Sequence, residues 1–308
     1  MQTFGQFILQ RAIRAVLTLW LVVSAVFIIL RLSGDPIATL LGPDARPEQI
    51  AALQRDLGFD APIPVQYGKY LATLARGDFG NSIQQRRPAL GLVLERFPAT
   101  AQLAVVAFVI AATCGLTLGT FAALTRGSIG DRLALTVTSV FQSAPAFFLG
   151  ILLILFFSVR LGWLPSSGRG MSKQLILPAV TLSALTMASL ARLSRSSLLD
   201  VLRNDFIRTA RAKGLTERTV IFGHALRNAA LPLITVMGLE LGGVLTGAVI
   251  TETVFAWPGV GRLAVDAVRA RDYPVVQAAV LCIASIFILI NFFVDSSYAF
   301  IDPRVRGE

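Results

Sequence analysis

Charged positions along the 308 residues gather in short intervals and leave long stretches with none. Uncharged runs occupy Ala15–Leu30, Phe97–Thr125, Leu133–Val159, Gln174–Ala191 and Tyr273–Val294, and a further stretch, Asn228–Val260, is interrupted only by glutamates. A helix crosses the roughly 30 Å hydrocarbon core of a bilayer with about 20 apolar residues. The first run is shorter than that, but Arg14 and Arg31 can snorkel to the two interfaces. Gln174–Ala191 is short as well, with Pro178 near its helix start. The pattern predicts an all-α membrane protein with six transmembrane helices. The first run differs from a secretory signal, whose apolar region of about 7–15 residues ends in a small-residue cleavage site. Here it ends in Ile28-Ile29-Leu30-Arg31, which reads as an uncleaved anchor.

Two polar intervals are too long for turns. Residues 32–96 are punctuated by Pro and Gly, and loops beyond about 12–15 residues are usually functional or disordered. Recurring apolar side chains (Leu53, Leu57, Phe59, Tyr67, Tyr70, Phe79) argue for a small folded element. Within it, Gln49–Leu57 and Val65–Ala75 read as short amphipathic helices. In the second interval, 193–230, Leu198, Leu199, Leu202, Phe206 and Ala210 recur at helical spacing, with Arg203, Arg208 and Arg211 on the other side. The pattern then meets Gly214, suited to the left-handed position of a helix stop, Leu215, which can pack back, and Thr216, which can cap the next helix. The expectation is a compact knob of helix, glycine turn and helix, terminated by Pro232. The alternative is a helix lying on lipid headgroups, which has no need of a sharp turn.

Composition agrees with a membrane protein: 55% hydrophobic, only 15% charged, mean hydropathy +0.69. A net charge of +10 raises nucleic acid as a partner. The basic residues are instead spread through loops that flank apolar helices, without an aromatic-interleaved patch, and fit topology and anionic lipid contact. Total basic charge does not orient the chain. Density does, because short segments govern orientation: residues 192–227 hold eight Lys and Arg, the densest stretch in the chain. That interval is placed inside, with both termini cytoplasmic and 32–96 outside. Cys114 and Cys282 read as small core residues, and a single histidine, His224, offers no ligand cluster.

The stretch 205–232, DFIRTARAKGLTERTVIFGHALRNAALP, resembles the cytoplasmic coupling loop of bacterial ABC-importer permeases. In detail it is similar to the B-type permease subunit of the dipeptide/oligopeptide/nickel family. Across importers this loop carries Glu-Ala-Ala followed by a glycine; here Arg208-Thr209-Ala210 occupies that place, so only Ala210 and Gly214 match. The resemblance continues through Gly34-Asp35-Pro36, Gln66-Tyr67, Gly77-Asp78-Phe79-Gly80-Asn81-Ser82 and Arg96-Phe97-Pro98-Ala99-Thr100. It extends to Ser143-Ala144-Pro145-Ala146-Phe147, Glu252 to Gly259, Arg271-Asp272-Tyr273-Pro274 and Asp302 to Arg306. It implies a type I ABC importer permease fold in the bacterial inner membrane. Residues 1–31 would be helix 1, 32–96 an extracytoplasmic subdomain, 97–301 the core domain with its coupling loop at about 193–230, and 302–308 a cytoplasmic tail. Its implied partners are a second, distinct permease subunit, two ATPase subunits that bind ATP and Mg, and an extracytoplasmic solute-binding protein. The implied coupling residues are Asp205, Arg208, Thr209, Ala210, Arg211, Lys213, Gly214 and Leu215. Dipeptides or oligopeptides are the expected solutes, with nickel, glutathione or oligosaccharides as alternatives.

This chain itself shows no nucleotide or metal site. The P-loop needs Gly-Lys-Ser/Thr, and the Gly68-Lys69 pair is followed by Tyr70. Ionisable groups in the spans are functional candidates by default. Glu240 lies mid-span among Gly238, Gly242, Gly243 and Gly247, small residues that permit close helix approach; it either lines a pathway or forms a structural hydrogen-bonded pair. Gln142 and Ser143, beside the kink expected at Pro145, are further pathway candidates. Glu252, Pro258 and Gly259 are structural or gate candidates, and Asp295 lies near an interface. A proton-driven secondary transporter would normally show a relay of embedded acids or internal repeats. A membrane-embedded enzyme needs a nucleophile and base or a metal motif. Neither signature is present, and a channel fits composition only.

Overall fold

The computed structural model describes residues 4–32, 46–56, 60–170 and 173–301. The motifs at Gly34-Asp35-Pro36 and Asp302 to Arg306, together with Leu57 and Phe59, lie outside the described residues, as do the side chains of Leu53 and Asp295. The chain is helical, with no β-strand among the described residues. In order the helices are α1 (Phe4–Leu32), α2 (Pro47–Asp56), α3 (Ile63–Ala75), α4 (Ala89–Leu124), α5 (Ile129–Ser143) and α6 (Ala146–Leu153). They continue with α7 (Lys173–Leu202), α8 (Asp205–Ala212), α9 (Leu226–Val254), α10 (Val260–Arg269) and α11 (Tyr273–Ile301). Wider π-helical turns extend α6 over Ile154–Arg160 and precede α9 over Thr219–Ala225.

Five of these helices are long and apolar enough to cross a membrane: α1, α4, α7, α9 and α11. The run read as one span from Leu133 to Val159 is instead two helices bent by 106°. Ala144 and Pro145 are extended (ψ 126° and 136°), so the backbone leaves the helix here; Pro145 disfavours its continuation by removing a donor and crowding the previous turn. Counting this bent pair as one span gives six. The span expected at Gln174–Ala191 is longer than its uncharged run. α7 has 30 residues and carries Arg192 and Arg195 inside the helix.

Two units make up the fold. The first comprises residues 1–99 and 258–288. Its core joins Leu30 of α1, Ala89, Leu92 and Val93 of α4, Val260 and Ala267 of α10, and the first turns of α11. The motif at 77–82 and the Arg-Asp-Tyr-Pro motif meet here. Asp272, buried, accepts from the Ser82 hydroxyl at 2.5 Å and from the backbone N–H groups of Ile83 and Gln84 at 3.0 and 3.3 Å. A loop is thus tied to a helix start by one carboxylate. α3 packs on α1 through Tyr67, whose hydroxyl meets Ser24 at 2.6 Å, and through Tyr70, stacked on Phe27.

The second unit comprises residues 100–257 and 289–308. α7 is its most buried helix, from Leu177 through Leu198. The close approach of α4 to α7 rests on Gly115 and Gly119. A methyl group on either would meet the backbone of Met187 or Ala191, so the seam is small-residue packing of the kind membrane helices use. Of the glycines on α9, Gly238 lies against Val294 and Gly247 against Leu182, while Gly243 faces open space. Cys114 is exposed, contrary to its reading as a core residue, because it lies on an outward face of apolar α4; Cys282 is half-buried.

Candidate functional site

The knob at 193–230 is built as helix, turn and helix, with one change of register and without the stop expected at Pro232, which lies inside α9. α7 ends at Leu202, and after Arg203 and Asn204 the chain restarts as α8. Each residue advances a helix by about 100°, so the break resets which side chains face inward. Ile207 is fully buried, whereas Phe206, expected on the inner face, is 41% exposed. Ile207 joins Leu198, Ala210, Val220, Ala225 and Ala229 in a closed core. The turn after α8 follows the Schellman pattern. Gly214 has φ +77° and donates to the Arg211 carbonyl at 2.9 Å, while the Leu215 N–H reaches the Ala210 carbonyl at 3.4 Å. The Thr216 hydroxyl then accepts from the Thr219 N–H at 3.4 Å, capping the next helix.

The polar candidates surround this turn on its exposed side. Asp205 pairs with Arg208 at 3.4 Å, and the Thr209 hydroxyl donates to the Asp205 carbonyl. Arg211 forms a two-pronged pair with Glu217 at 2.8 and 3.2 Å, bracing the two sides of the turn. Lys213 is the helix C-cap and exposed, and Ala210 is buried. Leu215 does not pack back on the turn but stays 40% exposed, and Phe222 is 62% exposed. A rigid core thus carries three outward apolar side chains. His224 sits in the π-helical turn, half-buried, and its carbonyl accepts from the Asn228 amide.

The knob is tied to the α4–α5 connection. Arg195 of α7 donates to both oxygens of Asp131 at 2.7 and 2.8 Å, and Asp131 also accepts from the Gly127 N–H. In the sequence Arg195 is one of eight basic residues in the interval 192–227. The two residues lie 64 positions apart and share no periodic signal.

A second feature gathers the pathway candidates. Gln142, Ser143 and Pro145, at the break between α5 and α6, line a cavity of about 400 Å³ together with Thr186 of α7 and Glu240 of α9. Glu240 is half-buried and accepts from the Thr186 hydroxyl at 3.0 Å, so it is both hydrogen-bonded and cavity-facing. The open space beside Gly243 belongs to the same cavity.

Glu252 lies elsewhere. It is fully buried, and the Thr100 hydroxyl donates to it at 2.6 Å. Beyond it the chain makes another Schellman turn, with Ala256 at φ +49° and the Trp257 N–H on the Glu252 carbonyl at 2.8 Å. Phe255 and Trp257 are buried; the Phe255 carbonyl accepts from the Gly168 N–H, and Arg169 lies over the Trp257 ring while donating to Gln102. Pro258 and Gly259 then lead into α10, with Gly259 buried and extended at its N-cap. Among the described residues no group of three or more His, Cys, Asp or Glu converges to hold a metal ion.

Comparisons with known proteins match most of the chain in sequence and about two thirds of it in structure. A family model described as "Binding-protein-dependent transport system inner membrane component" matches residues 115–307, and one for the N-terminal part of such a membrane component matches residues 4–104. The chain is 44% identical over 301 residues to the glutathione transport system permease protein GsiC of Salmonella typhimurium, covering 97% of this chain and 98% of that protein. It is 43% identical, over the same shares, to GsiC of Escherichia coli K12. Among solved structures, an inward-facing form of the MetNI methionine ABC transporter superposes with TM-score 0.54 at 21% identity, over 66% of this chain and 93% of that one. An amino acid ABC transporter solved with histidines gives TM-score 0.53 at 17% identity, over 70% and 94%. These two share the fold.

Proposed function

Because the chain belongs to the family of binding-protein-dependent transport system inner membrane components, we propose that it forms half of the translocation path of an ATP-driven importer of short peptides, glutathione among them. Membership makes it a multi-pass inner-membrane permease of an ABC importer, a class that works with ATPase and solute-binding partners. The observation that carries the mechanism is the knob: a closed core held by Ile207, Val220 and Leu198, a glycine-dependent turn, and exposed Phe206, Leu215 and Phe222. This knob inserts into an ATPase subunit on the cytoplasmic side, with Arg208, Arg211 and Lys213 around its rim. Such a body transmits displacement by packing, since close-packed cores shift as units. The chain has no catalytic role. ATP and Mg are held by two separate ATPase subunits, a second, distinct permease completes the path, and a solute-binding protein docks outside over residues 32–96. Both termini are cytoplasmic, which puts the basic interval 192–227 inside.

The solute proposal rests on the GsiC relatives and on the cavity. Its volume of about 400 Å³ lies within the ~300–1,000 Å³ of small-molecule sites. Glu240 offers a carboxylate to an ammonium group, and Gln142, Ser143 and Thr186 offer hydrogen bonds to peptide groups. The test is uptake of labelled glutathione and di- and tripeptides, with nickel as comparator, by a strain lacking the gene and by the same strain carrying wild type, Gly214→Val or Glu240→Ala. Wild type should restore uptake of glutathione or a short peptide. Gly214→Val, which forces a β-branched residue to positive φ, should abolish uptake at unchanged membrane abundance, and Glu240→Ala should reduce it. Restoration of nickel uptake alone would overturn the solute reading, and full uptake by Gly214→Val would overturn the coupling reading.

A further inference from the structure

Asp131 and Arg195 are paired away from water, with side-chain exposures of 6% and 23%, whereas the ion pairs on the knob's rim are largely exposed. The Arg195 Nε donates to Asp131 Oδ1 at 2.7 Å and its Nη2 to Oδ2 at 2.8 Å. Two parallel bonds between a planar guanidinium and a carboxylate fix orientation as well as distance. Each partner stands where a helix meets something that matters for transport. Arg195 lies one turn before Leu198, which roots the core of the knob in α7. Asp131 lies in the first turn of α5, where its backbone N–H meets the Ser128 cap and its carboxylate also takes the Gly127 N–H at 2.9 Å. From Asp131, α5 runs about 18 Å, at 1.5 Å per residue, to Gln142 and Ser143 at the cavity.

The rest of the seam between α5 and α7 offers little to hold the two helices in register. Besides Asp131, α5 buries only Ala134 and Thr138, whereas its larger apolar side chains, Leu133, Val137 and Val140, are exposed. Small side chains let helices lie close without interlocking. The hydroxyls of Thr136, Thr138 and Ser143 each donate to a carbonyl of the preceding turn, so they do not reach α7. A displaced α7 would slide past α5 were the charged pin absent. We propose that the Asp131–Arg195 pair is the strut that carries movement of the knob to the cavity wall, obliging α5, with Gln142 and Ser143 at its far end, to follow α7. Coupling between distant sites needs such a connection of rigid helices and fixed contacts. Both are positioning residues, and the inference rests on the reading of the knob as the coupling element.

The test uses the whole importer complex in lipid nanodiscs and needs no solute. Cys114 and Cys282 are replaced by serine, and spin labels are placed at Val140 of α5 and Leu239 of α9, both exposed and on opposite sides of the cavity. The distance between them is measured by pulsed electron spin resonance without nucleotide and with ATP trapped by vanadate, beside ATP hydrolysis on the same samples. With the pair intact, trapping should shift the distance. Asp131→Asn keeps an oxygen for the Gly127 N–H and removes the charge; it should continue to hydrolyse ATP but lose the shift. Arg195→Gln serves as the second variant should Asp131→Asn fail to assemble, and Arg195→Lys, which keeps the charge on one prong, should retain part of the shift. A purely structural brace would lower the melting temperature and leave the shift intact in the complexes that survive. An undiminished shift in Asp131→Asn or Arg195→Gln, with the shift lost in Gly214→Val, overturns the strut and spares the knob. No shift with the pair intact overturns both.

Discussion

Replacing Gly119 by alanine tests the α4–α7 seam with a single methyl group. That methyl would overlap the Ala191 carbonyl oxygen and stand 2.7 Å from the Ser194 Cβ, where ordinary contact begins at 3.4 Å. α7 would have to retreat by about 0.7 Å at Ser194, and further at Ala191. The obstructing atoms are backbone and Cβ, so no rotamer change relieves them. A gap of 0.5–1 Å forfeits roughly a quarter to a half of each dispersion contact, and the separation would reach Gly115, which packs on Met187 and Leu190. Overpacking of this kind costs about 1–3 kcal/mol. Against it stands the ~0.5–1 kcal/mol that alanine contributes over glycine inside a helix. The net expectation is a loss on the order of 1 kcal/mol, or roughly 2–4 °C in Tm for a domain of this size. Gly68→Ala is the internal control: Gly68 lies in α3 with nothing within 4 Å of the added methyl, so only the propensity gain operates. Both variants would be read by thermal melting of the purified complex, scored by the fraction surviving as a monodisperse species. If Gly119→Ala melts at or above wild type, the close seam is not where the structure puts it.

Thr100→Val keeps the shape of the side chain and removes the donor to Glu252 at 2.6 Å. Leaving a buried acceptor without its donor costs about 1–3 kcal/mol, so this variant should melt several degrees below wild type, and an unchanged melting curve would show that Thr100 contributes nothing there. Ala256→Gly should act in the opposite direction. Ala256 stands at φ +49° in a helix-stop turn, a conformation that costs a non-glycine residue about 1–2 kcal/mol, and relieving it should raise Tm measurably in the same assay.

Much of the fold is legible because hydrophobic spans and charge gaps are local properties. Five spans follow directly from them, and the stop at Gly214 follows from one residue whose backbone needs positive φ. The remainder depends on direction or distance. The run Leu133–Val159 is uniformly apolar, so hydropathy reports its length but not the 106° turn inside it; the signal was Pro145, read as a kink when its extended neighbour makes a corner. In the knob, Phe206 and Ile207 are adjacent apolar residues, and which of them is buried depends on a two-residue break at Arg203–Asn204 that leaves hydrophobicity unchanged. The pairs Asp131–Arg195, Thr100–Glu252 and Ser82–Asp272 span 64, 152 and 190 positions, and no periodicity links their partners.

The two glutamates of α9 show why an ionisable residue in a span needs its surroundings before it is given a role. Both stand out equally in the sequence, as acids in an apolar helix whose removal from water is costly. Glu252 is fully buried, takes the Thr100 hydroxyl, and sits at the root of the turn that buries Phe255 and Trp257. A solute cannot reach it without unpacking that turn, so its carboxyl group serves the local architecture. Glu240 is half-buried and takes one hydroxyl, from Thr186, and it faces the cavity shared with Gln142 and Ser143. A carboxylate has capacity for about four hydrogen bonds, so Glu240 keeps acceptor sites for whatever enters that space. Substitution at the two positions should therefore separate by readout: Glu252 through melting temperature, and Glu240 through uptake at unchanged stability.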